Sequence, residues 1–307
     1  MHVLLLLGLL LLGAPAAARA PAEPATPALW LLRDADTTIY IFGTVHALPR
    51  GTGWFRPHVV EALDRSDLLV LETVLPSDPV GMMGLTLRMA RRPTSEPLVA
   101  RIPEASRPAL SAALTRLNPG PLDQFKTWYV ALTLANLQSA ANGFDPAVGV
   151  EAVLTERARL RKIPIEGLET VEQQLAYFDV LSEADQRLFL VATLDGLADS
   201  QAEALAMVAD WLAGRTDRLA ERVNRDLEGS PMLRQMLLGD RDARWAAWIA
   251  QRMTQPGTIF VAVGAGHLAG PGNVIDLLER HHGLKAEQVK LPPSAPARRA
   301  RPAQQRS

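Results

Sequence analysis

Two short segments of this chain end the same way. Tyr40-Ile41-Phe42-Gly43-Thr44-Val45-His46 and Val261-Ala262-Val263-Gly264-Ala265-Gly266-His267 are runs of strand-forming residues that close on Gly-x-x-His. The glycine lets the backbone leave a sheet tightly. The histidine then stands at the strand's C-terminal edge, where open α/β sheets put their ligands. If both strands share one sheet, His46 and His267 face each other across about one strand spacing. Two neutral imidazoles so placed could hold a metal ion or act as a pair of proton-transfer groups. The plainer alternative is that each ring binds a backbone carbonyl and locks a turn.

Glu72 closes a third apolar run, Leu68-Leu69-Val70-Leu71, where a carboxylate is costly to bury without a partner. It could complete a set of two histidines and a glutamate with positions left open for water, as in catalytic zinc sites. It could equally be a solvated strand end, or pair with an arginine. Glu166 and Glu169 follow a fourth short run, Lys162–Ile165, and either could take a proton from water at such a site. Their other reading is charge complementarity at the start of the next helix. Arg241 could hold a substrate carboxylate or an oxyanion, or form a salt bridge with Glu72 or Glu169. Asp242 reads as an N-terminal helix charge rather than a ligand, and Trp245 and Trp248 read as core. His58 reads as a surface residue. His281 and His282 precede Gly283 and suit the negative pole of a helix. No Gly-x-Ser-x-Gly elbow, His-Glu-x-x-His pair, P-loop or cysteine is present, so a serine-hydrolase or zincin reading has no basis.

The elements that must position these groups are legible in outline. Leu29–Leu32 and Thr38–Phe42 read as strands joined by the turn Arg33-Asp34-Ala35-Asp36, a hairpin signal. Pro57 opens a helix carrying Val59, Val60 and Leu63, and Leu68–Leu71 is a buried strand. From about residue 79 to 213 the spacing is mostly helical, as at Leu110, Leu114 and Leu117. Thr170 with Gln173 forms a capping box, and Ser182 with Asp185 repeats the pattern. Helices follow over about 201–213, 215–227 and 240–253. Thr258–Val263 returns to the sheet, a helix ends at Gly283, and Lys285–Lys290 offers a last strand. Helices between widely separated strands imply an α/β fold: a mixed central β-sheet flanked by helices, with a large helical insertion.

Residues 1–20 read as a secretory leader. Leu4 to Leu12 is nearly all leucine, and Ala18-Arg19-Ala20 is a cleavage signal; an uncleaved anchor is the alternative. The mature chain is then expected in the periplasm or secreted, with no integral membrane segment. Residues 21–28 read as a linker, 29–291 as one domain with its insertion at about 79–213, and the proline- and arginine-bearing residues 292–307 as a disordered tail. The chain has no cysteine, so it has neither disulfides nor a lipoprotein anchor. A net charge of −1 argues against nucleic acid as a partner.

The same segments resemble the TraB/GumN family, related to TIKI-type proteases and more distantly to the ChaN and erythromycin-esterase-like group. The resemblance rests on residues 40–49, Ser66-Asp67-Leu68-Leu69-Val70-Leu71-Glu72, residues 164–175, residues 237–245 with Arg241, Asp242 and Trp245, and residues 260–270. It covers nearly the whole mature chain, in order, and the GumN-like branch fits best. It implies a mixed sheet with a helical insertion and a site built from both motif histidines and an acidic residue. Through the TIKI relatives it implies an exported hydrolase of peptide or other carbonyl substrates that uses a divalent transition metal (zinc, manganese, cobalt or iron). His46, His267 and Glu72 would hold the ion. Glu72 and Glu169 would serve the chemistry, Glu169 as the better-matched base, and Arg241 would orient the substrate. A haem- or iron-binding module is the reading the ChaN likeness allows, and a non-catalytic accessory protein of envelope or exopolysaccharide assembly is the third. Two departures stand out. Asp242 falls where many GumN-like chains have asparagine, and Thr73-Val74-Leu75 lacks a second acidic residue often found after the glutamate.

Overall fold

In the computed structural model, residues 25–76, 78–93, 96–227 and 231–290 are described. The leader and the tail expected at 1–20 and 292–307 lie outside them. The fold starts from the hairpin. Asp34 accepts hydrogen bonds from the N–H groups of Asp36 and Thr37 at 3.1 and 2.9 Å, which turns the chain between β1 (Leu29–Arg33) and β2 (Thr37–Thr44). The two pair antiparallel from Leu29↔Phe42 to Arg33↔Thr38. The order then runs β3 (Leu48–Pro49), α1 (Pro57–Asp64), β4 (Leu68–Thr73), α2 (Pro79–Ala90), α3 (Arg107–Leu117), α4 (Thr127–Ala141), β5 (Phe144–Asp145), α5 (Val150–Arg161) and β6 (Ile165–Glu169). After these come α6 (Val171–Asp179), α7 (Glu183–Gly196), α8 (Ser200–Leu212), α9 (Thr216–Leu227), α10 (Pro231–Arg234), α11 (Asp240–Arg252), β7 (Gly257–Gly264), α12 (Val274–His282) and β8 (Glu287–Gln288).

The central sheet has the order β6-β4-β7-β2-β1-β8. Its first four strands are mutually parallel, with β2 in register on β7 from Thr37↔Gly257 to Thr44↔Gly264. The strand ends therefore line up: Thr44 opposes Gly264, and Thr73 opposes Glu169. The chain order β2, β4, β6, β7 is reshuffled in space, because β7 inserts between β2 and β4. That insertion brings the two Gly-x-x-His strands side by side.

Side-chain alternation assigns the faces. Phe42, Leu69, Leu71 and Phe260 pack on α1, α5 and α8 through Val59, Leu63, Leu154 and Trp211. Ile41, Val70, Val261 and Val263 pack on α11 and α12 through Trp245, Ile249 and Leu278. Glu72 shares the face of Val70, and so it points toward α11. A third core, holding Leu110, Trp128, Leu134, Phe178 and Leu190, belongs to the helical insertion. That insertion is not purely helical, since it carries β6, the edge strand of the main sheet.

Three boundaries differ from expectation. Lys162 does not begin a strand: it caps α5 in the left-handed region at φ 58°, and the strand starts only at Ile165. Glu166 and Glu169 thus lie within β6 rather than after it. Residues 25–28, expected as linker, are packed, with Ala25 and Ala28 buried and the Thr26 N–H donating to Leu212 at 2.7 Å. The expected last strand shortens to Glu287–Gln288, which pairs with β1, and the Val289 N–H continues the contact to the Leu29 carbonyl at 2.8 Å. The capping box at Thr170 forms in full. No helix among the described residues is long and apolar enough to cross a membrane.

Candidate active site

Four parallel strands deliver four of the expected residues to one sheet edge. Glu169 ends β6, Glu72 is the penultimate residue of β4, and His267 and His46 follow β7 and β2. What joins them is Arg241. Gln235–Gly239 forms a π-helical turn between α10 and α11, in which the Asp240 N–H reaches back to Gln235. Such wide turns recur at functional sites. Arg241 lies just past this turn, 1 % exposed. Its Nε donates to both Glu169 oxygens at 3.2 and 3.1 Å. Its Nη2 donates to Glu72 at 2.6 Å and pairs with Glu169 at 3.0 Å. Its Nη1 reaches the Leu237 carbonyl at 3.3 Å and His267 Nε2 at 3.1 Å. The guanidinium thus donates from all three of its nitrogens, and both glutamates lie within ion-pair distance of Nη2. Its carbon lies 4.5 Å from the centroid of the Trp245 ring, a cation–π contact.

The neighbours are equally committed. Arginine can only donate, so His267 Nε2 carries the lone pair and Nδ1 the proton. That proton goes to Asp242 at 2.6 Å. Glu72 accepts the Gly264 N–H at 2.6 Å and a contact from Gln174 at 3.3 Å. Glu169 also receives Tyr177 at 2.7 Å and Arg244 at 3.2 Å. Burial acts to raise the Glu72 carboxyl, but the Arg241 guanidinium, with the two rings and the Gly264 N–H, overrides it and brings it down to about 2. Burial pushes the Asp242 carboxyl up, against the pull of His267 and Arg241. Burial and the Glu169 carboxylate push Tyr177 up to about 12, which keeps it a donor.

His46 is held from the opposite face. The N–H of Val150, the first residue of α5, donates to the Val45 carbonyl at 3.0 Å. A Cβ built on Gly149 would collide with the His46 carbonyl oxygen, so only glycine permits this approach. The docking brings Glu151, in the first turn of α5, to 2.5 Å from His46 Nδ1. Burial works to lower the His46 pKa, but the Glu151 carboxylate prevails and the ring titrates above its ordinary 6.5. The His46 side chain is 18 % exposed, and its Nε2 bonds to no protein group among the described residues.

The expected residues are therefore gathered, in roles that differ in part from expectation. Arg241 is buried and pairs with both Glu72 and Glu169, which is its salt-bridge reading rather than a substrate contact. Glu169 is fully engaged, and Glu166 is exposed on β6. Glu151 and Asp242 are the partners of the two histidines, which the sequence does not mark as such. An acidic residue in a helix's first turn reads as ordinary dipole complementarity, and only the glycine two places before Glu151 hints at a close approach.

Two imidazoles and a carboxylate are suitable donors for a divalent transition metal, and the Asp242–His267 bond is the kind that orients a ligating histidine. Yet the Glu72 Oε2 and His267 Nε2 lone pairs both meet the guanidinium. A dication would have to displace the guanidinium from those lone pairs or meet its positive charge at short range. Among the described residues no group of three or more His, Cys, Asp or Glu stands together so as to hold a metal. In this arrangement the residues do not fit the ion.

Fold and site define an α/β protein whose acidic and histidine groups sit at the C-terminal edge of parallel strands and are bound by a buried arginine. The model of the TraB/PrgY/gumN family matches residues 28–288, and the chain belongs to that family. It is 24 % identical over 277 residues to a protein of Treponema pallidum (strain Nichols) described as uncharacterized, covering 83 % of this chain and 81 % of that one. It is also 24 % identical over 259 residues to the uncharacterized protein YbaP of Escherichia coli (strain K12), covering 82 % and 92 %. No solved structure matches the chain.

Proposed function

We propose that this chain is a hydrolase acting at a carbonyl, with His46 as its proton-transfer group. The observation that carries this reading is the contrast between the two histidines. Both nitrogens of His267 are bonded to protein, whereas His46 is held at Nδ1 and keeps Nε2 free of protein partners at a partly exposed position. A histidine so held can take a proton from an attacking water at Nε2 and return it to the leaving group. Glu72, Glu169 and Arg241 act behind it, fixing the strand ends and the charge that His46 senses. Peptide bonds are the substrate class that the resemblance to TIKI-type proteases favours, and a leader over residues 1–20 would place the reaction outside the cytoplasm.

The test is hydrolysis of a peptide and ester panel by the purified chain, with and without added zinc, manganese, cobalt or iron, beside His46→Ala. Turnover that disappears in the variant supports the reading. Absence of turnover in wild type under every condition sinks it. That outcome would favour a non-catalytic role, the reading supported by the mutual pairing of Arg241, Glu72, Glu169 and His267.

A further inference from the structure

We infer that Arg241 is the resident cation of this site: it takes the place among Glu72, Glu169 and His267 that a divalent metal would take, and it closes the wild-type site to one. Three observations carry the inference. The guanidinium engages Glu72 at 2.6 Å, Glu169 at 3.0 Å and the His267 Nε2 lone pair at 3.1 Å, the atoms that would otherwise face an ion. It balances charge in place: two carboxylates meet Arg241, with Arg244 adding a second positive group on Glu169. And it is pinned from behind. Its Nη1 is tied to the Leu237 carbonyl of the π-helical turn and its carbon lies over the Trp245 ring, so it cannot leave without breaking contacts that involve no acidic partner.

Removing the guanidinium would leave two carboxylates and an imidazole nitrogen without their shared cation. Modest side-chain shifts would then have to bring them onto one ion, since among the described residues they do not stand together as a metal group around Arg241. His267 keeps its proton on Nδ1 through Asp242, so its Nε2 lone pair stays available beside Glu72, 3.8 Å from Oε1. Two oxygens and one imidazole nitrogen suit zinc or cobalt. Substitution of Arg241 is thus expected to create a metal site rather than only to damage a salt bridge. The inference concerns the ion and stands whether or not the protein hydrolyses anything.

The experiment compares wild type, R241M, H267A and R241M/H267A after equilibration with zinc or cobalt and removal of free ion, read by elemental mass spectrometry, cobalt absorption and thermal unfolding. Wild type is expected to retain no ion at this site and to melt at the same temperature with metal or chelator. R241M is expected to retain about one equivalent, show cobalt d–d bands and gain thermal stability with metal, all lost in R241M/H267A. Wild type that retains an equivalent lost in H267A overturns the inference. So does a folded R241M that takes up none. An ion retained equally by wild type and H267A sits elsewhere and counts with the expected result. If R241M folds only with metal, that is support. If it does not fold at all, R241M/E169Q, which leaves one carboxylate fewer without a partner, takes its place, and the wild-type comparison decides should neither fold.

Discussion

Asp242 Oδ1 lies 2.6 Å from His267 Nδ1, with both side chains 4 % exposed. The bond dictates the tautomer: His267 donates to Asp242 and accepts from Arg241, and so it passes the position of α11 to the end of β7. Asp242→Ala removes the acceptor and leaves a buried N–H unsatisfied. Stability should fall by about 2–3 kcal/mol, measured by urea unfolding. Asp242→Asn keeps an acceptor oxygen and should cost less. Equal losses in the two variants would show that the carboxylate's volume, not its hydrogen bond, matters there.

Glu72 makes acid stability a test of the network. Its carboxyl titrates near 2 in the folded chain against an ordinary 4.5. A depressed carboxyl contributes stability that is complete above the unfolded value and is lost as the pH falls through the folded one. The loss should therefore run between about pH 4.5 and pH 2 and amount to a few kcal/mol. Unfolding free energies at pH 5, 4 and 3 should show this slope in wild type and a shallower one in Glu72→Gln. Parallel curves would assign the acid sensitivity to other carboxylates.

Gly149 and Gly196 offer a paired comparison. A Cβ on Gly149 would strike the His46 carbonyl, whereas one on Gly196, at the end of α7, would meet nothing within 4 Å. Gly149→Ala should destabilise by about 1–3 kcal/mol through overpacking. Gly196→Ala should be neutral or add about 0.5–1 kcal/mol through helix propensity. A neutral Gly149→Ala would mean that α5 does not dock on the His46 loop as described.

Much of this arrangement could be read in the sequence because it is local. The hairpin at Asp34, the capping box at Thr170 and the glycine stop at Gly283 each depend on residues a few positions apart. The two Gly-x-x-His strands announced their own ends. Their adjacency did not follow from that, since β7 reaches β2 across about two hundred residues and enters between β2 and β4. The same distance hid the embrace of Arg241. Glu72 is 169 residues away from it, and either a metal or an arginine would satisfy that carboxylate equally well on paper. Glu151 was hidden for a different reason. Its helix position already explained its charge, and its second use depends on Gly149 letting α5 press against the His46 loop.

That second use of Glu151 gives the pH dependence of any activity a definite sign. Glu151 holds the His46 ring above its ordinary 6.5. A base must be unprotonated to work, so kcat/KM should rise with pH through that elevated value and level off above it. Glu151→Gln removes the charge that favours the imidazolium and leaves burial unopposed by it. The acidic limb should then move to lower pH, while the plateau falls about tenfold or more as the ring loses its fixed orientation. The two effects separate positioning from simple damage, since a loosened fold lowers the plateau without moving the limb. A limb that stays in place in Glu151→Gln would show that His46 is not the titrating base, whatever the plateau does.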